Sequence, residues 1–324
     1  MFQENYKHSK ATSMLRFRRR FEVFVILIIM IKGCHVLRKY ARMPLEENLS
    51  DQLEFMRGSG TIICVKETVQ HMPTVKFLLP SIKREAETFT MFLHRDNANW
   101  QTYIFDRHPK LNMLAGVKDS EKIYKVCYQY VKEFRAQHGK EYRRALAQNE
   151  KLWRPIEQKY LQILEEHFEV KFPTRQKLMY AYVSVIPVYP RWIDEWSFNV
   201  SYFVPKRVKE IACHEIQHLL YFKKWMEVFP RTKRVELDNP HLVWRLSELI
   251  APVILNEHPY FKTLFTRKQM TYKNFQEIRI QGRQPMIHLT GMYRRHLKSG
   301  APFESFLKNI WEFAKKHEDV IMGV

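Results

Sequence analysis

Two histidines four residues apart, with a glutamate directly after the first, form the most reactive pattern in this chain: His214-Glu215-Ile216-Gln217-His218. A helix makes a turn every 3.6 residues, so on a helix both imidazoles leave from one face. Two neutral imidazoles at that spacing can grip one Zn²⁺ at about 2.0–2.1 Å. Glu215, beside the first of them, can take a proton from a metal-activated water and hand it to a leaving amine. The chemistry implied is hydrolysis with a glutamate as general base and then acid.

The flanking residues supply a helix to carry the motif. Pro205 precedes Lys206–Cys213, and Leu219-Leu220-Tyr221-Phe222 follows. Val208, Ile211, Ala212, Leu219 and Phe222 recur near helical spacing and predict one buried face. A third metal donor is needed. Asp238-Asn239-Pro240 reads as a helix start, a capping side chain followed by Pro in the first turn. The helix it opens carries Glu248, thirty residues after His218, among Leu246, Leu249 and Ile250. A carboxylate among apolar neighbours is costly unless something pairs with it, and a metal would do so. Asp238 and Glu257 are rival donors, both in loop-like surroundings.

On His214, Glu215, His218 and Glu248 the chain resembles the gluzincin-type zinc metallopeptidases, over residues 175–260. The metzincin pattern is excluded, because Tyr221 and Lys224 stand where it requires Gly and His. The resemblance implies a zincin-like fold, Zn²⁺ held by His214, His218 and Glu248, Glu215 as catalytic acid/base, and a peptide or protein substrate. It also implies an edge strand above the metal that binds extended peptide by strand addition, and a downstream Tyr or His for the oxyanion. Candidates for that group are His258, Tyr260, His288, Tyr293 and His296. The chain departs from the better-known pattern beside the third ligand. Ser247 and Pro252 stand where Asn and an orienting Asp are common, so the groups orienting the ligands are unassigned. Pro252 also removes the helix hydrogen bond to the carbonyl of Glu248.

The chain has 324 residues and a net charge of +20, with 54 Lys and Arg spread along it. Such a balance attracts nucleic acid, anionic lipid or acidic protein without choosing among them. The reading that competes with hydrolysis is therefore a basic nucleic-acid- or membrane-surface-binding protein with a structural metal site. No recognised nucleic-acid module, GxGxxG or P-loop is present. Four cysteines without a CxxC pair point to a reducing, cytoplasmic setting. Residues 18–42 combine Arg18-Arg19-Arg20 with the apolar run Val23–Ile31, about half of the ~20 residues a spanning helix needs. Membrane association through that segment, a buried strand and a non-native extension all remain open.

The expected fold class is α+β, zincin-like and mostly helical, with a small mixed or antiparallel sheet. Residues 1–55 read as a basic extension, 56–170 as a strand pair and helical lobe, and 171–324 as the catalytic region. Thr61–Val65 and Val75–Leu79 read as short strands, Ser81–Leu93 as a helix, and Asn97–Gly116 as a loop. A long helix opens at Asp119, breaks at Trp153-Arg154-Pro155 and resumes over Ile156–Phe168. Leu178–Ile186 is a strand candidate. Trp196–Phe203 alternates with period two and predicts a strand with one buried face. Helices near 261–281 and 283–298 and a C-terminal helix after Pro302 complete the pattern.

Overall fold

The computed structural model describes residues 72–94 and 98–323, and the backbone of strands β1 (Leu53–Met56) and β2 (Ile63–Lys66). The chain divides into two units, Met1–Val69 and Gln70–Val324. In the first, β1 pairs antiparallel with β2, Leu53 opposite Lys66. The apolar run Val23–Ile31 and its basic flanks lie outside the described residues. No helix among the described residues is long and apolar enough to cross a membrane.

The second unit is mostly helical around a four-stranded mixed sheet. Its strands are β3 (Thr74–Leu78), β4 (Leu178–Ser184), β5 (Arg191–Trp192) and β6 (Ser197–Ser201), in the order β3-β4-β6-β5. β3, β4 and β6 run parallel, and β5 caps the edge antiparallel. Parallel strands are covered on both faces. Accordingly β6 is buried at all of its positions. This corrects the expectation of a half-buried edge strand over Trp196–Phe203: β5 covers that edge.

Between β3 and β4 run α1 (Ile82–His94), α2 (Ala98–Arg107), α3 (Ser120–Gln137), α4 (Gly139–Trp153) and α5 (Glu157–Phe168). Asn97–Gly116 is not the expected loop, since α2 and a 3₁₀ turn over Pro109–Leu114 occupy it. Its apolar residues are spent on the core: Trp100, Ile104, Leu111 and Leu114 are buried there. Asp119 caps α3 by accepting from the backbone N–H groups of Glu121 and Lys122. One buried carboxylate ties these helices to the sheet. Glu85 on α1 accepts from Arg135 on α3 at 2.5 Å, Tyr142 on α4 at 3.3 Å, and Ser184 Oγ and the Val185 N–H at 2.9 and 3.0 Å.

After β6 come α6 (Val208–Val228), α7 (Leu242–Glu257), the short α8 (Lys273–Glu277), α9 (Pro285–Ser299), α10 (Phe303–Lys316) and α11 (Glu318–Met322). α6 carries the HExxH residues. It is buried nearly all round rather than along one stripe, which marks a helix through the middle of the core. The long helix expected over 261–281 is replaced by a 3₁₀ turn at Phe261–Leu264, an irregular stretch and α8. α7 starts at Leu242, with His241 at its N-cap and no capping side chain. The helix-start reading at Asp238 fails because the Asp238 carboxylate is engaged by Arg234 at 2.8 Å.

Candidate metal centre

α6 and α7 lie side by side in the core, pinned where Gln217 Nε2 donates to the Ala251 carbonyl. Their facing sides bring His214, His218 and Glu248 together. His218 Nε2 lies 3.0 Å from His214 Nε2, His214 Nε2 lies 3.2 Å from Glu248 Oε2, and His218 Nε2 lies 3.5 Å from Glu248 Oε1. Ligands 2.0–2.1 Å from a tetrahedral ion stand about 3.3–3.4 Å from one another. The three distances, which involve both carboxylate oxygens, bracket that spacing, so the residues fit a divalent ion held by two imidazole nitrogens and the Glu248 carboxylate. No other group of three His, Cys, Asp or Glu donors converges in this way among the described residues.

Burial dominates the electrostatics. It holds His218 neutral, with its pKa lowered to about 3, helped by the nearby charge of Arg191. At His214 burial pulls the same way, but the hydrogen bond it donates to Glu248 and the charges of Glu215 and Glu248 outweigh it and raise the pKa. Glu248 is held well below the usual carboxylate range. Burial opposes this, but the neighbouring His218 imidazole, the Arg191 charge and the two histidine hydrogen bonds prevail. Glu215 is pushed up to about 7 by burial, which the charges of His214 and Arg191 only partly offset. A carboxyl poised near neutrality exchanges protons in both directions, as a general acid/base must.

Two groups beside the centre carried no sequence signal. Arg191 Nη1 lies 2.9 Å from Glu248 Oε1 and 3.5 Å from Glu215 Oε2. It comes from β5, which a cation–π stack braces: the Arg84 guanidinium lies 4.3 Å from the Tyr182 ring centre and 4.2 Å from that of Trp192. In a chain this basic, one more arginine in a Pro-bounded turn is unremarked. Tyr272 is the second. The residue is 42% exposed, but desolvation at its hydroxyl end and the charges of Glu248 and Glu215 hold its pKa well above the usual value, so it stays a donor. It follows Thr271, whose hydroxyl donates to the Glu248 carbonyl at 3.1 Å. That is the carbonyl which Pro252 leaves without a helix partner.

The rival donors do not join the triangle. Glu257 is forked by Arg294 at 2.7 and 2.9 Å, and Asp238 is held by Arg234. The expected oxyanion groups also lie outside the centre. His258 stacks on Phe261, His296 stacks on Phe306, and Tyr293 bonds His167. His288 donates to the Ile280 carbonyl, and Tyr260 packs at the rim of the core.

No family model matches the chain, and neither a curated protein nor a solved structure matches it. The function therefore has to be argued from the site. A cleft of about 290 Å³ leads to it, lined by Trp192, Trp244 and Tyr272, with Arg191 and Glu248 on its wall. Concave, aromatic-walled clefts that end on a few convergent polar groups are the usual form of a ligand site.

Proposed function

We propose that the chain is a zinc-dependent hydrolase of peptide bonds. The observation that carries this reading is the triangle of His214, His218 and Glu248 donors with the Glu215 carboxyl buried beside it. Among the common biological ions, Zn²⁺ suits a set of two imidazoles and one carboxylate. Bound there, it supplies Lewis acidity, making a water acidic and a carbonyl electrophilic.

The rest of the chemistry belongs to the protein's own side chains. Glu215 takes the proton of the attacking water as the new C–O bond forms. It returns that proton to the amide nitrogen as the C–N bond breaks. Burial keeps its pKa near 7, so neither transfer is strongly uphill. Phe222, buried on the same helix, stacks on His218 and has its ring centre 5.2 Å from the Arg191 guanidinium, which adds an apolar wall to the site. The substrate is an extended peptide laid along the outer edge of β5, where unpaired backbone groups can add a strand. The place of β5 at the end of the strand order β3-β4-β6-β5 supports that placement.

The test has two parts. The purified protein should hold one zinc per chain and cut an unstructured protein, and a chelator should abolish both. Glu215→Gln should keep the zinc and lose about 10²–10⁴-fold in turnover. Undiminished turnover in that variant would refute the role of Glu215, and absence of zinc from the wild type would refute the site.

A further inference from the structure

Arg191 neither holds a metal in this reading nor moves a proton. Yet among the described residues it alone forms ion pairs with both Glu215 and Glu248. Neutralising those carboxylates does not explain it, because a dication on the donor triangle would do so unaided. With the dication and the guanidinium both present, the cleft end carries a surplus of positive charge where little water can disperse it. A centre of that kind is built to receive an anion.

The guanidinium has the donors to receive one. Both ion pairs use Nη1. Nε and Nη2 make no hydrogen bond among the described residues, and neither is sealed from the cleft that Arg191 lines. Its side chain is only 10% exposed, which strengthens any charge it meets. Its backbone is equally well placed. Arg191 sits opposite Phe198 in the β5–β6 register, and the Asn199 N–H holds the Pro190 carbonyl at 2.9 Å. Successive strand residues point to opposite faces. Trp192 turns to the Arg84 stack while Arg191 turns to α6, its guanidinium 5.2 Å from the Phe222 ring centre. A peptide on the free edge of β5 thus runs beside Arg191.

We propose that Arg191 is the electrophilic catalytic residue of this site: its guanidinium binds the carbonyl oxygen of the scissile bond and holds it as it becomes anionic. The assignment rests on the hydrolytic reading above. As water attacks, the carbonyl π pair moves onto that oxygen and the water's proton moves to Glu215. As the carbon–nitrogen bond breaks, the pair returns and Glu215 gives the proton to nitrogen. Arg191 keeps all its protons throughout, as a guanidinium does at any working pH.

The experiment compares wild type, Arg191→Gln and Arg191→Lys, all zinc-loaded, in three measurements. These are zinc content, turnover of an unstructured protein, and affinity for a peptide phosphonamidate and a peptide hydroxamate. The phosphonamidate carries an anionic oxygen on a tetrahedral centre, whereas the hydroxamate grips chiefly the metal. Losing one such donor typically costs about 10²–10³-fold in kcat. Arg191→Gln should show that loss with KM nearly unchanged, and weaker phosphonamidate binding by a similar factor. Its zinc content and hydroxamate affinity should remain at wild-type levels. Arg191→Lys, which keeps the charge and loses the fork, should fall between. It also carries the test if the Gln variant does not fold, with a kcat at least tenfold below wild type expected. Wild-type turnover and phosphonamidate affinity in the variants would overturn the proposal. So would loss of zinc, which would make Arg191 a strut for Glu248. A zinc-loaded wild type that hydrolyses nothing would instead overturn the hydrolytic reading.

Discussion

At the scale of single residues, the proposed metal centre sets a proton and a metal in competition for the same atoms. His214 has a raised pKa because Glu248 and Glu215 favour its charged form. A metal needs that nitrogen bare, so binding must expel the proton. The sign follows directly. Below the raised pKa the proton competes with the metal and affinity falls, while above it the competition ends. His218 adds no such term near neutrality, because burial keeps it unprotonated down to about pH 3. Zinc titrations between pH 5 and 8 should therefore show affinity rising with pH. Calorimetry in buffers of different ionisation enthalpy should show proton release at the acid end. A pH-independent affinity would mean that His214 is not a ligand.

At the scale of elements, the informative feature is a helix that works with a proline inside it. α7 runs through Pro252, four residues after Glu248, with one ladder hydrogen bond missing, and the carbonyl left over is satisfied by Thr271 from a separate segment. That hydrogen bond replaces the missing helical one and ties the ligand's backbone to the segment that carries Tyr272. Thr271→Val keeps the shape and removes the donor. A buried carbonyl left without a partner costs about 1–3 kcal/mol. The variant should lose stability of that order in denaturant unfolding and hold zinc less tightly. A melting curve and zinc affinity matching wild type would show that water satisfies the carbonyl instead. Leu249, Ile250 and Ile254 bury the helix on the sides away from the site, so it should stay folded in the variant.

At the scale of the molecule, buried neutral histidines make the fold acid-sensitive. His108 is 1% exposed, between Val185 and Tyr130. The Val185 carbonyl can only accept, so Nε2 carries the hydrogen and Nδ1 accepts from the Tyr130 hydroxyl. Burial lowers its pKa from 6.5 to about 4. The unfolded chain takes up that proton first, so stability falls as pH drops from about 6.5 and the loss is complete below about 4. This one group accounts for about 3 kcal/mol across the window. His258, lowered to about 4, and His167, lowered well below its usual value, act in the same direction. Melting temperature should decline steadily over that range, and His108→Gln should flatten the decline. A flat profile in the wild type would contradict the burial argument. The division of the chain leads to a further expectation. A chain beginning at Gln70 retains every element that supplies the site. It should bind zinc and unfold in one cooperative transition, as followed by circular dichroism. Aggregation, or loss of zinc, would show that residues before Gln70 are needed.

Local periodicity determined what could be read in the sequence. The i, i+4 pair of histidines, the helices on either side of Trp153-Arg154-Pro155, the strand at Leu178 and the bond lost at Pro252 all depend on neighbours within a turn or two. The α+β, mostly helical class followed from the same patterns. Choosing among Glu248, Asp238 and Glu257 needed the tertiary structure. All three are carboxylates near one helix, and only their partners differ: Asp238 and Glu257 meet arginines at the surface, while Glu248 meets two imidazoles. Arg191 stands 24 residues before Glu215 and 57 before Glu248, distances that no periodic pattern spans. The helix α2 and the burial of β6 were hidden for the same reason, because which face of an element is covered depends on what packs against it.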